Sequence, residues 1–187
     1  MQKQKIQALK VTAMLAMLVA ISIVAGKFLA IRGGDILRFS FENLPIIFAG
    51  IAFGPISAIL VGVVADLVGC FMVGYAINPI VTIGAAAIGA CSGLAYSMLK
   101  KIRVKDGLAI ALAVVISHLF GSVLIKTFGL AVFYDMPLWM LMLWRLLNYL
   151  IVGAIEAALL LAIMKNKEIK ARLIRLGRQE ENKNDLR

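Results

Sequence analysis

The chain has 187 residues, of which 62% are hydrophobic and 16% are charged, and its mean hydropathy is +0.95. A soluble domain of this size would carry a charged surface, so the composition excludes an ordinary soluble protein. The formal net charge of +10 would suit a nucleic-acid-binding protein. However, the basic residues lie mostly at the ends of apolar segments, as in membrane proteins, so we expect no nucleic-acid binding.

The apolar residues form blocks of about 20 residues, the length of a helix that crosses the hydrocarbon core. Within lipid the backbone must satisfy its own hydrogen bonds, so helices are the expected structure. The sequence predicts an all-α integral membrane protein, a compact bundle of six transmembrane helices forming one domain over 1–187. The predicted helices cover about 8–30, 41–53, 55–73, 80–99, 108–133 and 138–164, with a basic tail over 165–187.

The distribution of basic residues predicts how the bundle is oriented. Three lie near the N-terminus, four in the linker 100–107 and eight in the tail. Because Lys and Arg concentrate on the cytoplasmic side, we expect both termini to be cytoplasmic and the tail to lie along the inner membrane surface. The other five lie toward the outside, against this signal, and are candidates for function: Lys27, Arg32, Arg38, Lys126 and Arg145.

The first predicted helix carries small residues at four-residue spacing, namely Ala8, Thr12, Ala16 and Ala20. Such a stripe is flat and lets a second helix approach closely. It could pack inside the bundle. We also interpret it as a candidate docking face for a separate membrane subunit.

The stretch from Arg38 to Asp66 is the most distinctive part of the chain. Arg38, Phe41, Glu42 and Asn43 stand where the second helix enters the membrane, and we predict that they bind ligand. Asp66 lies in the middle of the third helix, where a carboxylate is costly unless it is paired or hydrogen-bonded. It could bond a neighbouring helix or contact a ligand.

The last helix carries Arg145, Asn148 and Tyr149, whose spacing of three and four residues places them on one face. Arg145 could reach outward as an interfacial anchor. A guanidinium beside an amide and a phenol also suits an anionic or heteroaromatic ligand, so we predict that these three residues bind ligand.

Three further polar residues are candidate ligand contacts. His118, the single histidine, lies near the middle of the fifth helix, and a hydrogen bond between helices or a proton relay is the alternative role. Tyr75 and Asn78 belong to the loop before the fourth helix, which could cap a pocket or be a simple turn.

The sequence contains no nucleophile and base set, no metal-ligand spacing and no phosphate-binding Gly-Lys-Ser/Thr loop. We therefore expect no enzyme activity and no cofactor or metal. The two cysteines, Cys70 and Cys91, lie in apolar segments and are expected to be packing residues. An intramembrane enzyme using His118 and Asp66 is a weaker alternative, and a channel is weaker still because no ring of like charges is visible.

Six helices in fewer than 200 residues and the small-residue stripe of the first helix resemble the substrate-binding S components of energy-coupling factor (ECF) vitamin transporters. Over Arg38 to Asp66 the chain looks most like the folate-specific S component. The residues that carry this resemblance are Asn43-Leu44-Pro45, Ala49-Gly50, Phe53-Gly54-Pro55, Gly62 and Asp66. The loop Tyr75-Ala76-Ile77-Asn78-Pro79 departs from the aromatic, Pro- and Gly-rich pattern expected there.

The resemblance implies a vitamin-binding subunit of an ATP-driven importer in the cell membrane of a bacterium, surrounded by lipid. Such a subunit binds its vitamin, here most simply folate, on the outer side. It docks through the first helix on a transmembrane coupling subunit driven by two ATPase subunits. Another vitamin or related molecule, such as riboflavin, thiamin, pantothenate or a queuosine precursor, is the alternative ligand.

Overall fold

A computed structural model describes residues 2–33, 37–166 and 168, with side chains for this set apart from 2–5, 32–33 and 37–38. The predicted basic tail therefore lies outside the described residues beyond its first positions, as does the side chain of Arg38. The helices are α1 (Gln2–Ile23), α2 (Asn43–Phe53), α3 (Pro55–Val73), α4 (Pro79–Lys101), α5 (Asp106–Ser117), α6 (Thr127–Tyr134) and α7 (Leu138–Lys165).

Two stretches of π-helix extend these helices. Val24–Phe28 continues α1, and His118–Lys126 joins α5 to α6, so that Asp106–Tyr134 forms one rod. The bundle thus consists of six apolar helices, as the sequence predicted. Five of them are long and apolar enough to cross a membrane. The sixth, α2, has 11 residues and, at 1.5 Å per residue, is about half as long as the hydrocarbon core is thick.

Two glycines in left-handed backbone conformations shape the turns around α3. Gly54, with φ of 88°, ends α2, and Pro55 then starts α3 at a position where its missing N–H costs nothing. Gly74, with φ of 69°, ends α3 by donating to carbonyls of its last turn. The chain reverses at Gly54, so α2 and α3 pack side by side, with a Cβ on Gly62 of α3 placed 3.4 Å from Cγ2 of Ile46 on α2.

The helices α3 and α4 form the antiparallel centre of the bundle, where backbones touch. A Cβ on Gly89 would lie 2.5 Å from the backbone of Ala58, and one on Gly93 would lie 2.5 Å from the backbone of Pro55. Small residues therefore replace side-chain packing with direct backbone contact, as is common between membrane helices. Apolar side chains with almost no exposure fill the space around this pair, among them Ile47, Ile88, Ile110, Val114 and Leu160.

The polar stretch that follows α1 forms a short antiparallel hairpin, Ile31–Gly33 with Leu37–Phe39. Arg32 and Arg38 are register partners across it. We call the end of the bundle that carries this hairpin, the turn at Gly74–Asn78 and the α6–α7 turn the hairpin end. The opposite end, with the start of α1, the α4–α5 turn and the end of α7, is the tail end.

Candidate ligand-binding site

A small cleft lies between α1, α2 and α3 in the half of the bundle nearer the hairpin end. Four of its residues are charged, which is unusual inside apolar helices. It is lined by Ser22, Ile23, Lys27, Glu42, Ala65, Asp66 and Lys126. Its volume of about 10 Å³ matches roughly one water molecule.

The centre of the cluster is Lys126, whose side chain is 4% exposed. Its Nζ donates to Oε1 of Glu42 at 3.0 Å and to Oδ1 of Asn43 at 3.4 Å. Asn43, in the first turn of α2, is fully buried. A buried ammonium needs a paired charge and further acceptors, and these two residues supply them.

Three glycines on neighbouring segments make room for the charged side chains. A Cβ on Gly84 of α4 would meet Cγ of Lys126 at 2.5 Å, and a Cβ on Gly69 of α3 would meet Cε of Lys27 at 2.8 Å. On Gly26 it would meet the Glu42 side chain at 2.8 Å. The long side chains therefore reach the cleft only because these positions lack a Cβ.

Lys27 reaches the cleft from the π-helical end of α1. Its Nζ lies 3.6 Å from Sγ of Cys70 and 5.7 Å from the ring centroid of Tyr75. Among the described residues no carboxylate oxygen lies within 4 Å of this ammonium. A cation held by an aromatic face and a thiol attracts an anionic group more readily than one that is already paired.

Asp66 connects the cleft to the start of α4. Its Oδ2 accepts from the Thr82 hydroxyl at 2.7 Å. Four residues earlier, Asn78 caps α4 by accepting from the backbone N–H groups of Ile80 and Val81. The Asn78 amide also donates to the carbonyl of Gly129 at 2.8 Å, so in this structure it fastens α4 to α6.

His118 lies at the start of the central π segment and bridges to α7. Its Nε2 lies 2.6 Å from Oε2 of Glu156, and its Nδ1 lies 3.3 Å from Oγ of Ser122. The imidazole stacks on the ring of Tyr149 with centroids 4.6 Å apart. His118 is thus held on both nitrogens and one face.

Arg145 lies on α7, and Nη1 donates to the carbonyl of Ser122 at 2.9 Å. Its guanidinium carbon is 5.9 Å from the Tyr149 ring centroid. Asn148 follows on the same helix and is partly buried. Arg145 therefore connects α7 to the π segment by a hydrogen bond. It lies near the hairpin end.

Seven of the ten predicted ligand-binding residues fall into three groups. Glu42 lines the cleft, and Asn43 accepts a hydrogen bond from Lys126, which also lines it. His118, Arg145 and Tyr149 gather around Ser122 on its α7 side. Phe41 and Tyr75 are 36% and 40% exposed at the hairpin end.

The prediction of site residues did not include Lys27, Asp66, Lys126 or Ser122. The signal for the two lysines was present, because both are cations placed against the orientation rule. The sequence marks Asp66 as an intramembrane carboxylate that either bonds a neighbouring helix or contacts a ligand. Nothing in the sequence marks Ser122 as a site residue, except that it lies four residues after His118.

The small-residue stripe of α1 points away from the bundle. Ala8, Thr12, Ala16 and Ala20 are all exposed, whereas Val11 on another face of the same helix is buried. The stripe therefore does not pack against α2 or α3 and is available to another helix.

Taken together, the cleft presents two ammonium groups and two carboxylates within apolar walls. Groups of both signs can pair with a polar ligand that has donors, acceptors and negative charge. Among the described residues no group of three metal-ligating side chains occurs.

The description "ECF transporter, substrate-specific component" fits residues 10–164 of the sequence, which is most of the chain. The chain belongs to this family. The resemblance noted in the sequence is thereby confirmed for the family. Substrate-specific components are membrane-integral transport proteins that bind vitamins and associate with coupling and ATPase modules, and they are not enzymes.

Solved structures share the fold. One of FolT bound with folic acid is 22% identical, with a TM-score of 0.63 over 79% of this chain and 86% of that one. A bacterial ECF S component is 21% identical, with a TM-score of 0.63 over 83% and 94%. The S component for biotin is 19% identical, with a TM-score of 0.65 over 89% and 92%. No curated protein sequence matches the chain.

Proposed function

We propose that this substrate-specific component binds folate at the charged cleft, on the outer side of a bacterial cell membrane. Both termini then face the cytoplasm, which agrees with the excess of Lys and Arg at the tail end. The observation that carries the proposal is the cleft itself, where Lys27, Glu42, Asp66 and Lys126 converge near the hairpin end.

Folate complements these groups chemically. The 2-amino-4-oxo edge of its pterin carries adjacent N–H donors, which suit a carboxylate such as that of Glu42 or Asp66. Its glutamate carboxylates suit an ammonium without a carboxylate partner, which is the environment of Lys27 among the described residues. The Tyr75 ring beside Lys27 offers a surface for an aromatic ring.

Binding of folate requires the cleft to widen. Ligand pockets are typically on the order of 300–1,000 Å³, whereas the described cleft has about 10 Å³. The covering elements are the end of α1 with its π-helical extension and the segment that leads into α2. They meet where Ser22 Oγ, in the last turn of α1, donates to the carbonyl of Glu42 at 2.6 Å. We propose that these two segments separate when the ligand enters.

A titration of intrinsic fluorescence tests the ligand. Trp139 and Trp144, in the first turns of α7, are 73% and 40% exposed at the hairpin end. Purified protein in detergent should bind folic acid without ATP and with a Kd well below about 1 µM, roughly −8 kcal/mol. The panel includes biotin, because the S component for biotin has a similar fold, together with riboflavin, thiamin, pantothenate and a queuosine precursor. A clear preference for one of these would reject folate and leave the family unchanged.

Docking on the coupling subunit is proposed to use the exposed stripe Ala8, Thr12, Ala16 and Ala20. A Trp at position 16 would hold a partner helix away and remove its close contacts. Ala16→Trp should therefore abolish folate uptake in cells while folic acid binding to the purified protein stays unchanged. Met17→Trp is the matched control, because Met17 is 64% exposed on a neighbouring face of α1. Equal loss of uptake in both variants would reject the stripe as the docking face.

A further inference from the structure

A chain of hydrogen bonds leads from the cleft through the bundle to α7. Lys126 donates to Asn43 Oδ1 at 3.4 Å, and Asn43 Nδ2 donates to Ser122 Oγ at 3.3 Å. From Ser122 the chain continues to His118 Nδ1 at 3.3 Å and from His118 Nε2 to Glu156 at 2.6 Å. The four residues beyond Lys126 are at most 4% exposed, so the hydrogen bonds are shielded from bulk water.

The direction of the first bonds is set by charge. The Lys126 ammonium has only donors, so the atom of Asn43 that faces it must be the carbonyl oxygen. The Asn43 amide nitrogen then faces Ser122 and donates to its hydroxyl. Ser122 Oγ therefore accepts a hydrogen bond, and its own hydrogen needs an acceptor elsewhere.

That acceptor identifies the tautomer of His118. Among the described residues, the neighbours of Ser122 Oγ are the Asn43 amide and His118 Nδ1. The hydroxyl hydrogen therefore goes to Nδ1, which must carry a lone pair. The ring hydrogen is then on Nε2 and is donated to the Glu156 carboxylate.

The surroundings of His118 on α7 hold the ring in this orientation. Tyr149 stacks on it with an interplanar angle of 24°. Gly153 leaves room, since a Cβ there would lie 3.3 Å from Cδ2 of the imidazole. Glu156 follows on the same helix, fully buried, so Tyr149, Gly153 and Glu156 form one wall around the ring.

We propose that Glu156 and His118 are positioning residues for the cleft, acting through Ser122 on the Asn43 amide. Glu156 selects the Nε2–H tautomer, and Nδ1 then orients the Ser122 hydroxyl. That hydroxyl keeps the carbonyl oxygen of Asn43 turned toward Lys126. Without Glu156 the ring can carry its hydrogen on Nδ1 and donate to Ser122, which removes the contribution of Ser122 to this orientation of the amide and loosens Lys126. The link to ligand affinity rests on the proposed function.

The single histidine makes the tautomer directly measurable. Protein labelled with ¹⁵N-histidine gives one pair of ring nitrogen resonances, those of His118. We expect a ring that carries its hydrogen on Nε2 in protein without added vitamin, and a shift toward the Nδ1–H tautomer in Glu156→Leu. An imidazolium or an Nδ1–H ring in the unmodified protein would overturn the proposal, whatever the ligand is.

Affinity for folic acid tests whether the chain of hydrogen bonds affects ligand binding at the cleft. Ser122→Ala removes the connecting hydroxyl and should weaken binding about tenfold, the effect of about one buried hydrogen bond. Ser117→Ala is the matched control, because Ser117 is equally buried on the preceding turn and its hydroxyl donates only to the Ala113 carbonyl. It should change affinity less than twofold. Equal loss in both serine variants would overturn the proposal.

A double variant separates positioning from general packing. Glu156→Leu should weaken folic acid binding in the unmodified background. It should add nothing in the Ser122→Ala background, because the chain of hydrogen bonds is already interrupted there. Additive losses would overturn the proposal. If another vitamin of the panel binds instead of folic acid, folate is rejected as the ligand, and the same variants measured with that vitamin decide the positioning role.

Discussion

The glycines of α4 serve two different purposes. Toward the tail end, Gly89 and Gly93 of α4 bring backbone against backbone at Ala58 and Pro55. Toward the hairpin end of the same helix, Gly84 makes room for the side chain of Lys126. One arrangement packs helices tightly, and the other admits a charged group into an apolar bundle.

The comparison shows how a small membrane protein can place charge where it is costly. An isolated ammonium within lipid is unfavourable, so the hairpin-end half surrounds Lys126 with Glu42 and Asn43. Close backbone packing, such as that at Gly89 and Gly93, keeps these groups in position. Substitutions at the close backbone contacts should therefore change stability, whereas substitutions around Lys126 should also change ligand binding.

The largest effect is expected where the buried ion pair is broken. Lys126→Met removes the buried cation that pairs with the Glu42 carboxylate, whose side chain is 22% exposed. Loss of one partner of a buried pair should lower the free energy of unfolding by about 4 kcal/mol and abolish folic acid binding. Reversible unfolding in mixed detergent and fluorescence titration measure the two effects.

Adding Glu42→Gln is the control for Lys126→Met. The neutral amide needs no counter-ion, so the double variant should regain part of the lost stability but none of the binding. Stability that falls further in the double variant would mean that the ion pair is not the source of the loss.

The next largest effect is expected in the tail-end half. Gly89→Ala would place a Cβ against the backbone of Ala58, which cannot move aside as a side chain can. We expect a loss of about 3 kcal/mol of stability, at the upper end of overpacking costs. The affinity of the remaining folded protein for folic acid should be unchanged.

Gly107→Ala is the matched control for Gly89→Ala, because it makes the same substitution at another helical glycine. A Cβ there meets Leu161 Cδ2 at 3.5 Å, an ordinary contact on an exposed position of α5. It should be neutral or slightly stabilising, because alanine favours helix more than glycine does. A similar loss of stability in both variants would refute the distinction between a glycine position with room for a Cβ and one where the Cβ would meet backbone.

The sequence predicted the helices more completely than the site. Long apolar blocks separated by the breaks at Gly54-Pro55 and Asn78-Pro79 predict six helices, and the all-helical fold is confirmed. Neither the π segment His118–Lys126 nor the hairpin was predicted, because both occur in stretches whose composition also fits a regular helix or a polar loop.

The pairing of side chains within the bundle was beyond the reach of sequence patterns. Glu42 and Lys126 are 84 residues apart, and a helix that is apolar on all sides does not reveal which face meets which neighbour. Asn78 illustrates the same limit: its role as the cap of α4 follows from Pro79 after it, whereas its bond to Gly129 does not.

A smaller effect is expected from Gly84→Ala, which sharpens the comparison along α4. The added Cβ would meet Cγ of Lys126 at 2.5 Å and the Gly121 carbonyl at 3.0 Å. The flexible lysine stem can shift, so the stability loss should be about 1 kcal/mol, below that of Gly89→Ala. Displacement of the ammonium should nevertheless weaken folic acid binding about tenfold, roughly 1.4 kcal/mol. Normal affinity in Gly84→Ala would show that the position of Lys126 is not critical.

The smallest effect is expected from the other lysine–carboxylate pair of the described residues. Lys100 and Asp106 pair across the α4–α5 turn at the tail end, with side chains 40% and 36% exposed. Exposed pairs are hydrated and screened by salt, so they contribute little. Lys100→Gln should leave the melting temperature and folic acid affinity unchanged, in contrast to Lys126→Met. A clear loss of melting temperature at low salt that persists in about 1 M salt would contradict this, since screening should remove the contribution of an exposed pair.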